Sequence, residues 1–233
     1  MKIYAHRGGA GVGPENTLLA IRRVVAFEID GIEVDVRADR AGDLVVIHDV
    51  RVDRTTGAKG QVSDYTLGEI QNLNAGAGER IPTLRSVIEL AKANDLEVLL
   101  DLKSEGDADL ARSVVAAVKE QSYLEASLFS SFSAATVALV KKLEPGAVSG
   151  IIISFRSRHF ITGDLSSYDF ISVRASAALL NPFILGRARR AGCEVFAWFG
   201  RFEPRWLVRL MVALGVDGLI VGHVGRALEV SSH

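Results

Sequence analysis

The residues of this 233-residue chain best suited to chemistry are histidines and carboxylates that recur beside cations: His6-Arg7, Glu33-Val34-Asp35, His48-Asp49 and Asp101-Leu102-Lys103. Glu33 and Asp35 lie in Gly31-Ile32-Glu33-Val34-Asp35-Val36-Arg37, where branched apolar residues alternate with polar ones. A period of two is that of a β-strand, so Glu33, Asp35 and Arg37 share one face and Ile32, Val34 and Val36 the other. Carboxylates about 4–6 Å apart at an effective dielectric near 20 repel by roughly 3–4 kcal/mol. That raises one pKa sharply unless something positive lies between them. A bound divalent cation is the simplest answer, and a strand with two surface acids is the bland one.

The elements that must position these residues alternate along the chain. Strand-like runs fall at 2–6, 31–37, 44–48, 97–103, 126–131, 148–154, 169–174, 194–199 and 216–221, with helical patterns at about 16–27 and 83–94 and between the later strands. Asn16 or Thr17 is placed to cap the first helix. The turn chemistry of Asp39-Arg40-Ala41-Gly42-Asp43 makes 31–37 and 44–48 a hairpin. A turn centred near Ala41-Gly42 sets His48 opposite Asp35. Residues 49–79 are rich in turn formers and polar residues, and read as an insertion over one end of the domain. With that second hairpin strand set aside, eight β/α units remain, spaced by roughly 25–30 residues. This predicts an α/β fold: one closed (β/α)8 TIM barrel over residues 1–233, with the insertion after the hairpin, in preference to an open doubly wound sheet. Asp30-Gly31-Ile32 and Asp217-Gly218-Leu219 are weak internal echoes.

Chemistry in such a barrel belongs at the C-terminal ends of the strands. His6-Arg7, Glu33 and Asp35, Asp101 and Lys103, and Trp198 all fall there, and His48 returns on the hairpin. Charges directed into a barrel are costly unless paired or bound to metal. Glu33, Asp35 and Asp101 therefore suit one hard divalent ion, Mg²⁺ or Ca²⁺. An anionic substrate at that site needs further cations, and Arg7 and Lys103 are placed to supply them.

Formal net charge is −1 with both signs interleaved, so no nucleic-acid footprint or polybasic membrane anchor is visible, and the expected partner is a small molecule. The single cysteine, Cys193, excludes an internal disulfide and reads as a buried filler. No leader and no run of about 18 apolar residues occur, which predicts a soluble, cytoplasmic protein without stable membrane insertion. Oligomeric state is not readable.

The motifs His6-Arg7-Gly8, Pro14-Glu15-Asn16-Thr17, Gly31-Ile32-Glu33-Val34-Asp35-Val36, His48-Asp49, Arg54-Thr55-Thr56-Gly57, Pro82-Thr83-Leu84, Asp101-Leu102-Lys103 and Val216-Asp217-Gly218-Leu219-Ile220 resemble, in order, those of the glycerophosphodiester phosphodiesterase family. The resemblance covers residues 6 to about 222. It implies a metal-dependent barrel enzyme that splits glycerophosphodiesters to glycerol 3-phosphate and an alcohol. By matching position it assigns metal binding to Glu33, Asp35 and Asp101 and general acid/base work to His6 and His48. It also implies a nucleophile drawn from the substrate's neighbouring glycerol hydroxyl, through a cyclic phosphate, although attack by water gives the same products.

Three positions depart from the family pattern. Asp101 stands where Glu is usual, though the related sphingomyelinase D enzymes have Asp-x-Lys; Phe199 follows Trp198 in place of Thr; and Gly222, next to His223, replaces an Asp. Each candidate also has a structural alternative. Asp101 could simply pair with Lys103, Arg7 and Lys103 could balance the acids, and Trp198 could pack the barrel top instead of lining a substrate pocket. Asp49 is expected to orient His48, and Glu15 and Asn16 to hold the first loop. Two other functions fit: a lysophospholipase D-like phosphodiesterase, which calls for an apolar surface in 49–79, and a non-catalytic phosphate-binding barrel.

Overall fold

Eight parallel strands close on themselves in the computed structural model, which describes residues 1–103, 108–200 and 202–231. The strands are β1 (Lys2–Ala5), β2 (Gly31–Ala38), β3 (Leu44–Val46), β4 (Glu97–Leu102), β5 (Ser127–Ser131), β6 (Val148–Ile153), β7 (Phe170–Arg174), β8 (Glu194–Trp198) and β9 (Gly218–Val221). Each pairs with its neighbour in parallel, β9 pairs back to β1, and β3 lies antiparallel on β2 outside the ring. The helices are α1 (Leu18–Val24), α2 (Asp53–Thr56), α3 (Leu67–Ile70), α4 (Leu84–Lys92), α5 (Ala108–Glu120), α6 (Ala134–Leu143), α7 (Ala175–Leu180), α8 (Phe183–Arg190), α9 (Arg205–Ala213) and α10 (Val224–Ser231). The predicted TIM barrel is the observed fold.

Strand alternation builds two apolar layers. Ile32, Val34 and Val36 of β2 and Val98, Leu100 and Leu102 of β4 face outward into one core with Leu84, Val87, Ile88 and Ala91 of α4. Inside the barrel, Tyr4, Leu99, Leu128, Phe170, Phe196 and Ile220 form a floor, with Phe170 stacked on Phe196 at 5.0 Å. Glycines on neighbouring strands make room for these rings. A Cβ on Gly31 would lie 2.9 Å from the Tyr4 ring and 2.4 Å from the Glu97 carbonyl oxygen. With the lower part filled, the polar residues are confined to the C-terminal mouth.

The repeated Asp-Gly has a mechanical reason. Asp30 donates its N–H to the Ile3 carbonyl and accepts the Ile3 N–H on its carboxylate (2.7 Å), and Asp217 does the same with Val195 (2.8 Å). Each aspartate thus staples its strand to a neighbour at the N-terminal end.

Two expectations change. The hairpin register pairs Val36 with Val46 and Ala38 with Leu44, centring the turn on Ala41, so Ile47 faces Asp35 and donates its N–H to the Asp35 carbonyl (2.9 Å). His48 lies one residue past that position, beyond the end of β3. The β6–β7 connection contains a 3-10 turn at Arg158–Phe160 and no α-helix, whereas two helices, α7 and α8, join β7 to β8. Residues 49–79 hold α2, α3 and a further 3-10 turn, and Val52, Val62 and Ile70 pack with Val45, Ile47 and Ile81 in a small core of their own.

Gly31→Ala is expected to cost about 1–3 kcal/mol by overpacking, read as a lower urea midpoint. Gly68→Ala, where an added Cβ meets nothing within 4 Å, is expected to cost nothing. Equal midpoints for wild type and Gly31→Ala would refute the tight floor.

Candidate active site

The register of β2 against β4 sets Asp35 directly beside Asp101, and alternation turns both, with Glu33, into the barrel mouth. Three carboxylate oxygens, one from each, lie within 4.8 Å of one another, and all three residues are buried. The Lys103 ammonium sits between Asp35 (2.8 Å) and Asp101, to which it also donates. Asn16 donates from Nδ2 to Asp35 Oδ2 (2.8 Å), and the Arg7 N–H donates to Glu33 Oε2 (2.8 Å). Asp101 Oδ1 is buried without a hydrogen-bond partner among the described residues.

Charge separates the three acids. Burial, then the Asp35 and Asp101 charges, push Glu33 well above the usual carboxylate range. Burial raises Asp101 despite Lys103. Asp35 goes the other way: against burial, Lys103, His48 and Arg7 hold it well below. Burial works to lower Lys103, but Asp101 and Asp35 overcome it and keep it charged. An oxygen-rich set with an orphaned oxygen and two carboxyls driven toward neutrality fits a hard divalent cation.

The loop after β1 carries the next contributions. Arg7 (φ 52°) and Asn16 (φ 57°) are both left-handed non-glycine residues, a strain of about 1–3 kcal/mol each that the surroundings must hold. The Arg7 conformation aims its N–H at Glu33, and its Nε lies 4.0 Å from Asp35. Thr17 caps α1, accepting from the Ala20 N–H (3.2 Å), which leaves Asn16 free to serve Asp35. His6 stands 3.8 Å from Glu33, and burial, then Arg7, lowers its pKa to about 4.

His48 arrives from the hairpin. Arg37 donates from Nε to the His48 carbonyl (3.0 Å), and His48 Nδ1 meets Asp49 at 2.6 Å. Arg54 donates to Asp49 (2.6 Å) and to both oxygens of Glu15, which also accepts from Arg7 (2.9 Å). One chain of charge-assisted bonds therefore runs from His48 to Arg7 and ties the insertion to the first loop. Burial tends to raise Asp49, but the bonds from Arg54 and His48 hold it down to about 2.

His6, Arg7, Glu33, Asp35, His48, Asp101, Lys103 and Trp198 line one cleft, so all eight sequence-predicted residues converge. Trp198 packs edge-on to Phe132 at 6.4 Å, and its buried indole N–H has no partner among the described residues. The bond from Asn16 to Asp35 was not foreseen, since an asparagine before a helix reads as a cap. Nor was Glu203, buried in the loop after β8, where it accepts the N–H groups of Gly222 (2.7 Å) and His223 (3.3 Å).

Polar groups gathered in this way at a barrel's C-terminal mouth mark the class as a β/α-barrel enzyme. Comparison with known proteins narrows it. Residues 6–226 match the model of the glycerophosphoryl diester phosphodiesterase family. The chain is 34% identical to a glycerophosphodiester phosphodiesterase of Caldanaerobacter subterraneus (94% of this chain, 92% of that one) and 35% identical to one of Bacillus altitudinis (98% and 97%). A solved glycerophosphodiester phosphodiesterase from Agrobacterium tumefaciens has a TM-score of 0.83 at 25% identity, covering 98% of this chain and 99% of that one. An Oleispira antarctica phosphodiesterase, solved with the product sn-glycerol-3-phosphate, shares the fold at a TM-score of 0.86 and 24% identity, covering 100% and 97%. The chain belongs to the glycerophosphoryl diester phosphodiesterase family. Among the described residues no helix is long and apolar enough to cross a membrane.

The Asp49 network gives a pH signature. A carboxyl depressed from its ordinary value of about 3.9 to about 2 contributes stability that is present above about pH 4 and lost as pH falls toward 2. Arg54→Gln is therefore expected to lower the urea midpoint at neutral pH, with a deficit that shrinks below about pH 3. A deficit unchanged by pH would contradict the network.

Proposed function

We propose that this chain hydrolyses glycerophosphodiesters to sn-glycerol 3-phosphate and an alcohol, with His6 and His48 as general base and acid. The observation that carries this reading is the convergence of two histidines, from separate segments of the chain, on the cleft that holds Glu33, Asp35 and Asp101. Those three carboxylates are the proposed ligands of one divalent ion, Mg²⁺ or Ca²⁺. When bound, such an ion acts as a Lewis acid toward phosphoryl oxygens.

The protein's own groups supply the rest. Arg7 and Lys103 set positive charge beside the acids and offset charge that develops on the non-bridging oxygens. His6 takes the proton from the attacking hydroxyl, whether the glycerol's own or that of water. His48, with Nδ1 held by Asp49, presents its other ring nitrogen and gives a proton to the departing alcohol oxygen. The Asp49 carboxylate fixes the orientation of the ring for that transfer. Trp198 and Phe132 also line the cleft, with the centroid of the Phe132 ring 5.8 Å from the Lys103 ammonium.

The insertion buries Val52, Val62 and Ile70 in its own core, and among the described residues Val50 is the large apolar side chain it exposes. That supports water-soluble head groups. One observation favours the lysophospholipid alternative: exposed Phe132, Phe155, Phe183 and Phe202 follow β5, β6, β7 and β8, where an acyl chain could lie.

Glycerol 3-phosphate release from glycerophosphocholine and glycerophosphoethanolamine is expected to require Mg²⁺ or Ca²⁺, to stop with chelator, and to fall at least about a hundredfold in His6→Ala and His48→Ala. Turnover of lysophosphatidylcholine alone would select the alternative, and no metal-dependent turnover of any of them would leave a binding barrel.

A further inference from the structure

Arg174 ends β7 one inward position above Ser172, which lines the catalytic cleft. Its guanidinium lies between two rings, 5.6 Å from the Phe155 centroid and 5.5 Å from that of Trp198. Arg174 lines a neighbouring cleft with Gly200 and Trp198, and Trp198 is the wall that this cleft shares with the catalytic one. A Cβ on Gly200 would lie 3.1 Å from Arg174 Nη2, so the glycine clears the edge of the guanidinium.

The cations about the carboxylates and His48 are engaged. Arg7 binds Glu15, Lys103 binds Asp35 and Asp101, Arg37 binds the His48 carbonyl and Arg54 binds Asp49 and Glu15. Among the described residues Arg174 has neither a carboxylate nor a carbonyl partner, and the nearby Trp198 N–H is likewise unpaired. The acid on this side, Glu203, already accepts the N–H groups of Gly222 (2.7 Å) and His223 (3.3 Å). Ring stacking occupies the faces of a guanidinium and leaves its N–H edge open, a planar fork that matches a carboxylate or phosphate. No Arg174 nitrogen is among the buried unpartnered atoms, so its N–H edge faces solvent, and an anion bound there forms charge-assisted hydrogen bonds in place of water.

We infer that Arg174, braced by Trp198 and Phe155, is a subsite for an anionic group on the alcohol half of the diester. Glycerol carries no charge, so the half that gains is the variable alcohol. This rests on the phosphodiesterase reading and adds a substrate class to it: diesters whose alcohol bears a carboxylate or a further phosphate.

Glycerophosphoserine and glycerophosphoethanolamine differ by one carboxylate and test the inference directly. Wild type is expected to favour glycerophosphoserine by at least about tenfold in kcat/KM, carried by KM because the contact is remote from the phosphorus. Arg174→Gln is expected to bring the ratio close to one, and Arg174→Lys to keep part of it. A wild type that treats the two alike, or an Arg174→Gln that slows both equally, would overturn the subsite. Calorimetry of the two diesters on His48→Ala reads the same preference without turnover. Equal affinities there would also overturn the subsite, whereas a preference in binding with no turnover by wild type would overturn the phosphodiesterase reading and leave the subsite standing.

Discussion

Mutual repulsion among three buried carboxylates is the constraint from which the rest of the mouth follows. Glu33, Asp35 and Asp101 stand close enough that they cannot all carry full charge in a low-dielectric setting without cations among them. Lys103 answers part of the need, and its position splits the set: Asp35 is held ionised while Glu33 and Asp101 are pushed up. A divalent ion would remove that disparity. Breaking the Lys103 pairs instead would strand a buried charge, at a cost of about 3–5 kcal/mol.

The barrel produces this arrangement with few specific features. Parallel register aligns Asp35 with Asp101, the aromatic floor closes the space below, and glycines such as Gly31 admit the rings of that floor. Two further segments then supply what a single strand pair lacks. The first loop bends through left-handed Arg7 to aim an N–H at Glu33, and the hairpin delivers His48, fixed by Arg37 and by the Asp49–Arg54–Glu15 chain. Strain in the loop and bonds to the insertion serve one end, which is to hold two histidines about a buried anionic cluster.

Much of this was legible in the chain itself. The alternation of Gly31 to Arg37, the eightfold repeat and the placing of Asp101 and Lys103 at a strand end depend on local periodicity, which survives folding unchanged. The hairpin register did not, because one residue in the centre of the turn decides it and turn residues such as Asp39 to Asp43 permit more than one centre. The β6–β7 connection reads as helical in its apolar spacing, yet its backbone follows the surface against α8, where Arg187 donates to the carbonyls of His159, Ile161 and Gly163. Asn16 and Arg174 were missed for a shared reason: the groups they meet, Asp35 for Asn16 and the Phe155 and Trp198 rings for Arg174, are distant in sequence.

The central claim is that Glu33, Asp35 and Asp101 hold one divalent cation. Mn²⁺ titration followed by electron paramagnetic resonance, on wild type and on Asp35→Asn, tests it most directly and without reference to turnover. The account predicts one bound Mn²⁺ per chain, displaced by Mg²⁺ or Ca²⁺, with affinity falling at least about tenfold in Asp35→Asn. Free Mn²⁺ throughout, or binding unaffected by the substitution, would contradict it.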